Sequence, residues 1–186
     1  MAKYVVIVDT ETTGLDPNKG AIITQIGCAV VDLEKEKIVD SLDLKLQFKE
    51  EKADPEALKH SAYDSEVWSK EAIPFKEAAT KLVDFFKKYS SPDLYLGGHN
   101  YNNFDRRFLN KFLTIAKTDN PVKYGIDTYV LAMNCAARGL IKTKSLKLSD
   151  LVKEFKIKGT QKHDAFDDAM LNAKVYIKLN RLMKNF

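Results

Sequence analysis

Residues 4–8 read YVVIV, a continuously apolar and mostly β-branched run. Such a run predicts a strand covered on both faces. It continues into Asp9 and Glu11 and then breaks at Thr12-Thr13-Gly14. Side chains alternate along a strand, so the two carboxylates share one side. Like charges there repel, and burial adds a desolvation cost. A divalent cation would offset both. After turn chemistry over 14–20 (GLDPNKG), the apolar stretch 21–33 predicts a second strand. Alternation over 37–48 predicts a third, and the short connection makes the pair an antiparallel hairpin.

Beyond the hairpin the period changes. Asp54 is placed to cap a short helix that opens at Pro55. Phe75, Ala78, Ala79, Leu82, Phe85 and Phe86 give residues 73–89 a helical stripe. Residues 93–96 predict a fourth strand that ends at Gly97-Gly98. Residues 104–116 predict a helix, 124–126 a fifth strand, and a helix follows from Asp127 or Thr128. Two more helices are predicted over 145–155 and 164–183. A three-stranded meander followed by alternating elements makes an α/β domain with a mixed sheet.

The chain has 186 residues, 45% of them hydrophobic, with no repeat or long Pro/Gly linker. That suits one domain over 1–186 with a single core. The net charge of +4 neither demands nor excludes a polyanionic partner. Cys28 and Cys135 lie in apolar contexts without metal-type spacing and read as reduced core residues. The apolar start is too short for a signal peptide or a membrane span, so a soluble cytoplasmic protein with no membrane association is expected.

Four stretches carry the interesting polar groups: Asp9-x-Glu11, GGHNYNNFD ending at Asp105, IDTYVLA from Ile126, and HDAFDDA with His163 and Asp168. Each alone is weak. An acidic pair is common among 26 acidic residues. Asp105 could serve a helix dipole, and His163 could be a cap or a core histidine. Asp168 stands among Ala165, Ala169 and Ala173, which leaves room for an ion or a ligand.

In this order, DTETTG at 9–14, HNYNNFD at 99–105 and HDAFDDA at 163–169 resemble the DnaQ-like 3′–5′ exonucleases of the DEDDh class. The resemblance covers essentially the whole chain. It departs in the spacing from Asn100 to Asp105, one residue longer than the plain HNAxFD form, and at Ser61 and Ala62, where relatives carry His-Gly-Ile from the position of His60. The resemblance implies an RNase H-like fold with a five-stranded mixed sheet, order 3-2-1-4-5, flanked by helices. It implies that Asp9, Glu11, Asp105 and Asp168 converge as metal ligands, and that His163 is the general base. Two hard cations about 4 Å apart, Mg²⁺ or Mn²⁺, would activate water and stabilise the leaving oxygen. Amides of Thr12 and Thr13, with Gly14, would meet the 3′-terminal nucleotide. Leu15 is either a wedge against the terminal base or a turn residue folded onto the core. Phe104 is either a pocket wall or core. His60 and Asn100 complete the implied substrate contacts.

The substrate implied is a single-stranded 3′ end, DNA favoured by the form DTETTG, with nucleoside 5′-monophosphates as products. RNA is the alternative, as in relatives of the oligoribonuclease or ribonuclease T type. A replication polymerase is the protein partner the resemblance suggests. A scaffold that binds nucleic acid without catalysis would lack a ligand, and none is missing. Lys142, Lys144, Lys147, Lys153, Lys156, Lys158 and Lys162 gather toward the C-terminal third, either as a solvated surface or as a charge guide for the incoming strand.

Overall fold

The computed structural model describes residues 3–90 and 93–184. Five strands form one sheet in the order β3-β2-β1-β4-β5. Strand β1 (Tyr4–Thr12) pairs antiparallel with β2 (Ile23–Asp32), which pairs antiparallel with β3 (Lys37–Lys45). On its other side β1 runs parallel to β4 (Leu96–Gly98), and β4 runs parallel to β5 (Ile126–Asp127). The helices are α1 (Pro55–His60), α2 (Ser65–Glu71), α3 (Phe75–Lys88), α4 (Asp105–Ala116), α5 (Thr128–Ala137), α6 (Leu148–Glu154) and α7 (Ala165–Lys184).

Alternation on β1 divides the interior in two. Val6 and Val8 face the layer of α3 and α4, where Leu82, Phe86, Leu109 and Leu113 are buried. Val5 and Ile7 face the opposite layer, against Ala173 and Tyr176 of α7. A further apolar cluster joins α5, α6 and α7 through Cys135, Leu151 and Val175. All ten residues of β2 are buried, as expected for a strand covered on both faces. Helix α7 begins flush on this strand. A Cβ on Gly27 would lie 2.0 Å from the Ala165 carbonyl oxygen, so only glycine permits the contact.

The elements depart from their sequence-predicted bounds in instructive places. The fourth strand does not span 93–96; it includes Gly97 and Gly98 themselves. Glycine is needed there because a Cβ on Gly98 would meet the Val8 carbonyl at 2.6 Å. β3 stops at Lys45, where Leu46 turns away to bridge Ile73. Helix α6 starts at Leu148 rather than 145, since Ser145 is occupied by its short hydrogen bond to Asp150, 2.5 Å. α2 has no counterpart among the expected helices; a single buried side chain, Trp68, holds it and leaves no stripe to read. The expected cap at Asp54 is present, accepting from the Glu56 amide at 3.0 Å. Both cysteines are buried and unpaired. Among the described residues no helix is long and apolar enough to cross a membrane.

Candidate active site

β1 delivers Asp9 and Glu11 on the face that carries Val5 and Ile7, opposite Gly27 and Gln25 of β2. Helix α7 lies on that face and brings Asp168. Glu11, His163 and Asp168 each offer a ligand atom within 4.8 Å of the other two. Asp105 comes from the opposite layer, at the first turn of α4. It is held by Thr10, the residue between the two acids, whose hydroxyl donates to its Oδ1 at 2.8 Å. The site therefore straddles the sheet at the end of its central strand.

The electrostatics mark these acids out. Burial, then the charges of Asp105, Glu11 and Asp168, pushes Asp9 well above the usual carboxylate range. Burial first, and then Asp168, raises Glu11 to about 8. Burial raises Asp105 to about 7, against the lowering effect of the Thr10 hydroxyl. Asp168 is raised by burial despite two backbone donors. Acids that hold protons this tightly lack compensating positive charge. Four oxygen donors of this kind suit a hard divalent cation, which would favour their ionised forms.

His163 does not begin the last helix, as its sequence context suggests. It stands two residues before α7 in the left-handed region, φ 56°. Its N–H donates to Asp168 Oδ2 at 3.1 Å, and the neighbouring Lys162 N–H donates to Oδ1 at 3.0 Å. Its carbonyl accepts the Ala62 N–H at 2.7 Å. Both backbone polar groups are thus fixed while the imidazole is exposed. The same loop binds Asp168 and presents His163 beside it.

The other expected residues divide. Thr12, Gly14, Leu15, His60 and Phe104 line one cavity together with Glu11. Leu15 is 80% exposed, which excludes the folded-turn alternative. Phe104 does both things considered for it: it lines the cavity and packs on the core beside Phe108. Thr13 is a correction. Its N–H donates to the Ile22 carbonyl at 2.8 Å, and its hydroxyl accepts the Ile22 N–H at 2.9 Å. It extends the β1–β2 pairing, so its amide is not directed to a nucleotide. Asn100 lies outside this cavity, in a second cleft with His99 and His163. Among the expected guiding cations, Lys162 pairs with Asp167 at 2.7 Å and Lys153 with Asp150 at 3.5 Å.

Three residues of the site went unread in the sequence. Thr10 anchors Asp105. Asp164 presses its charge on Asp9 and Glu11 and caps α7, accepting the Asp167 N–H at 3.0 Å. Gln25, fully buried, donates to Asp164 at 3.2 Å and accepts the Ala165 N–H at 3.2 Å. A glutamine in a strand that is mostly apolar was the available signal for the last.

Known proteins are similar to this chain in sequence and fold. The RNase T family model, described as exonuclease, matches residues 6–176. DNA polymerase III subunit epsilon of Rickettsia felis is 32% identical over 180 residues, covering 94% of this chain and 72% of the relative. DNA polymerase III PolC-type of Thermotoga maritima is 28% identical over 179 residues, covering 96% of this chain but 12% of the relative. E. coli exonuclease I in complex with a dT13 oligonucleotide superposes with TM-score 0.82 at 16% identity, covering 98% of this chain. This chain spans 43% of that structure. A full-length 3′-exonuclease gives TM-score 0.76 at 14% identity, with 97% and 82% covered. The sheet order, the RNase T match over most of the chain and the epsilon relatives agree: the chain belongs to the RNase T exonuclease family, as a DnaQ-like 3′–5′ exonuclease of the RNase H-like superfamily.

Proposed function

We propose that this exonuclease removes nucleoside 5′-monophosphates from the 3′ end of single-stranded DNA, using two divalent cations, Mg²⁺ or Mn²⁺, in a single catalytic domain over 1–186. The observation that carries the proposal is the junction of an uncompensated carboxylate cluster with a cavity walled by Thr12, Gly14, Leu15, His60 and Phe104. Asp9, Glu11 and Asp168 would hold one cation, and Asp9 with Asp105 the other. When bound, the cations polarise the phosphate and lower the pKa of water. The protein's own groups do the rest. Leu15 presents an apolar face to the terminal base, and Gly14 keeps the backbone low beneath the sugar. His163 takes the proton from the attacking water, with its backbone fixed at both polar groups so that only the imidazole is free to turn.

The choice of DNA is supported by relatives that are subunits of DNA polymerase III and by a solved neighbour carrying dT13. The same relatives make a replication polymerase the protein partner to test. Digestion of labelled single-stranded DNA and RNA of equal sequence, with Mg²⁺, Mn²⁺ or EDTA, is the experiment. Mononucleotides released from the 3′ end, faster from DNA and only with metal, are expected. A 3′-phosphorylated strand should resist. Efficient cutting of a circular strand would overturn the exonuclease polarity, and faster loss of RNA would reverse the substrate assignment.

A further inference from the structure

We infer that Thr10 is a positioning residue for this reaction: its hydroxyl sets how the Asp105 carboxylate is turned, and so how firmly the cation between Asp9 and Asp105 would be held. This rests on the two-cation reading above. Asp9 and Glu11 point to one face of β1, so Thr10 between them points to the other, the layer of α4. β4 pairs with β1 at Val6 and Ile7 and ends at Gly98, so that pairing stops short of Thr10. The first turn of α4 comes in beside it, and the Thr10 hydroxyl donates to Asp105 Oδ1 at 2.8 Å. Thr10 is 5% exposed and Asp105 3%, so bulk water cannot take the place of a lost donor.

The carboxylate is not needed to start the helix. The amides of Arg106 and Arg107 bond to the carbonyls of Tyr101 and Phe104, both at 3.0 Å, so backbone groups close the first turn. What the carboxylate does face is like charge. After burial, the charge of Asp105 weighs most on Asp9, and Asp127 presses on Asp105 in turn. Acids this close turn their side chains apart unless something holds them. Burial opposes the ionised form of Asp105, and the groups that favour it are the Thr10 hydroxyl, then the amides of Asp105 and Thr10. Of these, only the hydroxyl can be removed without altering the backbone. A donor on Oδ1 fixes the rotation of the carboxylate, and hence where Oδ2 faces. Glu11, His163 and Asp168 form the compact group of ligand atoms, within 4.8 Å, and Asp105 stands outside it. Loss of the hydroxyl should therefore weaken one cation and spare the other.

The test is calorimetry of Mn²⁺ binding to the full chain, metal-free at the start, with saturating thymidine 5′-monophosphate, a product of the proposed reaction. The unaltered protein should bind two Mn²⁺. Thr10→Val keeps the shape of the side chain and deletes the donor. It should weaken the looser Mn²⁺ site roughly 10- to 100-fold, the usual effect of losing a group that orients a metal ligand, and leave the tighter site unchanged. The Mn²⁺ concentration for half-maximal digestion of single-stranded DNA should rise by the same factor, and excess Mn²⁺ should recover most of the rate. Thr10→Ser keeps the donor and should restore both. In an Asp105→Ala background, Thr10→Val should cost nothing further in residual activity or Mn²⁺ affinity. Unaltered Mn²⁺ binding at both sites in Thr10→Val overturns the inference. So does an equal loss in Thr10→Ser, or a Thr10→Val loss that persists in the Asp105→Ala background, since a residue that merely holds the fold acts without the carboxylate. A Thr10→Val chain that does not fold overturns it as well, by making the hydroxyl structural. A single Mn²⁺ on the unaltered protein would instead defeat the two-cation reading, and the inference with it.

Discussion

Asp32 and Asp168 are each 1% exposed, and each accepts two backbone N–H bonds, yet their acidities move in opposite directions. Asp32 closes the β2–β3 hairpin. The Lys35 amide, followed by the Glu34 amide and the Lys35 ammonium, holds its carboxyl below the usual range. Asp168 has the same number of amide donors and is raised, because burial outweighs them. Hydrogen bonds of equal count do not give equal environments; the balance between burial and the groups that favour the charged form decides. The hairpin acid is solved within the fold. The helix acid is not balanced in the same way.

Exchange of each acid for its amide separates the two roles. Asp168→Asn should lower exonuclease activity on the order of a thousandfold, since several kcal/mol of cation-derived stabilisation is at stake at about tenfold per 1.36 kcal/mol. The folded protein should melt no lower, because a repelling charge is removed. Asp32→Asn should do the reverse, lowering the melting midpoint with turnover nearly unchanged. Rates and melts of both variants check this, and equal stability losses would erase the contrast.

His163→Ala should cost roughly 10²–10⁴ in rate, the usual worth of a positioned base. Its melting midpoint should still rise with Mn²⁺, because the four carboxylates remain. Near-normal turnover would remove the base from His163 and leave it a loop residue.

The pH dependence sharpens the same comparison. Glu11 and Asp105 bind protons more tightly folded than unfolded, at about 8 and about 7. Their contribution to stability is therefore full below the unfolded carboxylate range, near 4, and is lost as pH rises through 7 and 8. Metal-free melts should fall across that window, and saturating Mn²⁺ should flatten the slope. Asp32 has the opposite sign: its contribution is present above pH 4 and lost in acid. A flat EDTA profile from pH 5 to 8.5 would contradict the crowding of the site acids.

The smallest expected effect belongs to Gln25→Leu. The change leaves the Ala165 amide without its acceptor. About 1–3 kcal/mol of stability should go with it, measured by denaturant unfolding, with activity reduced less than tenfold.

What the sequence made legible follows distance along the chain. Asp9 and Glu11 could be paired because period 2 puts i and i+2 together. The strand order and the convergence of Asp105 and Asp168 came from motif resemblance, since no local rule carries a residue 95 positions away to Thr10. Thr10 itself was hidden for that reason. His163 was set directly before a helix over 164–183, but its left-handed backbone and its bond to the Ala62 amide, a hundred residues upstream, follow from no local pattern. Thr13 was assigned an open amide because an unpaired end was assumed for β1, and the pairing runs one residue further.

The contact between Gly27 and the start of α7 bears on how this protein tolerates change. A carbon on Gly27 would fall 2.0 Å from the Ala165 oxygen and 2.5 Å from the Phe166 α-carbon, both backbone atoms that no rotamer can move aside. Any replacement must lift the helix, and Asp168 rides on its first turn. In a saturation screen for lost activity, position 27 should therefore reject all nineteen alternatives, as a catalytic residue does, although it has no side chain to offer a substrate or an ion. Such a screen would draw the outline of the active site one residue wider than its chemistry.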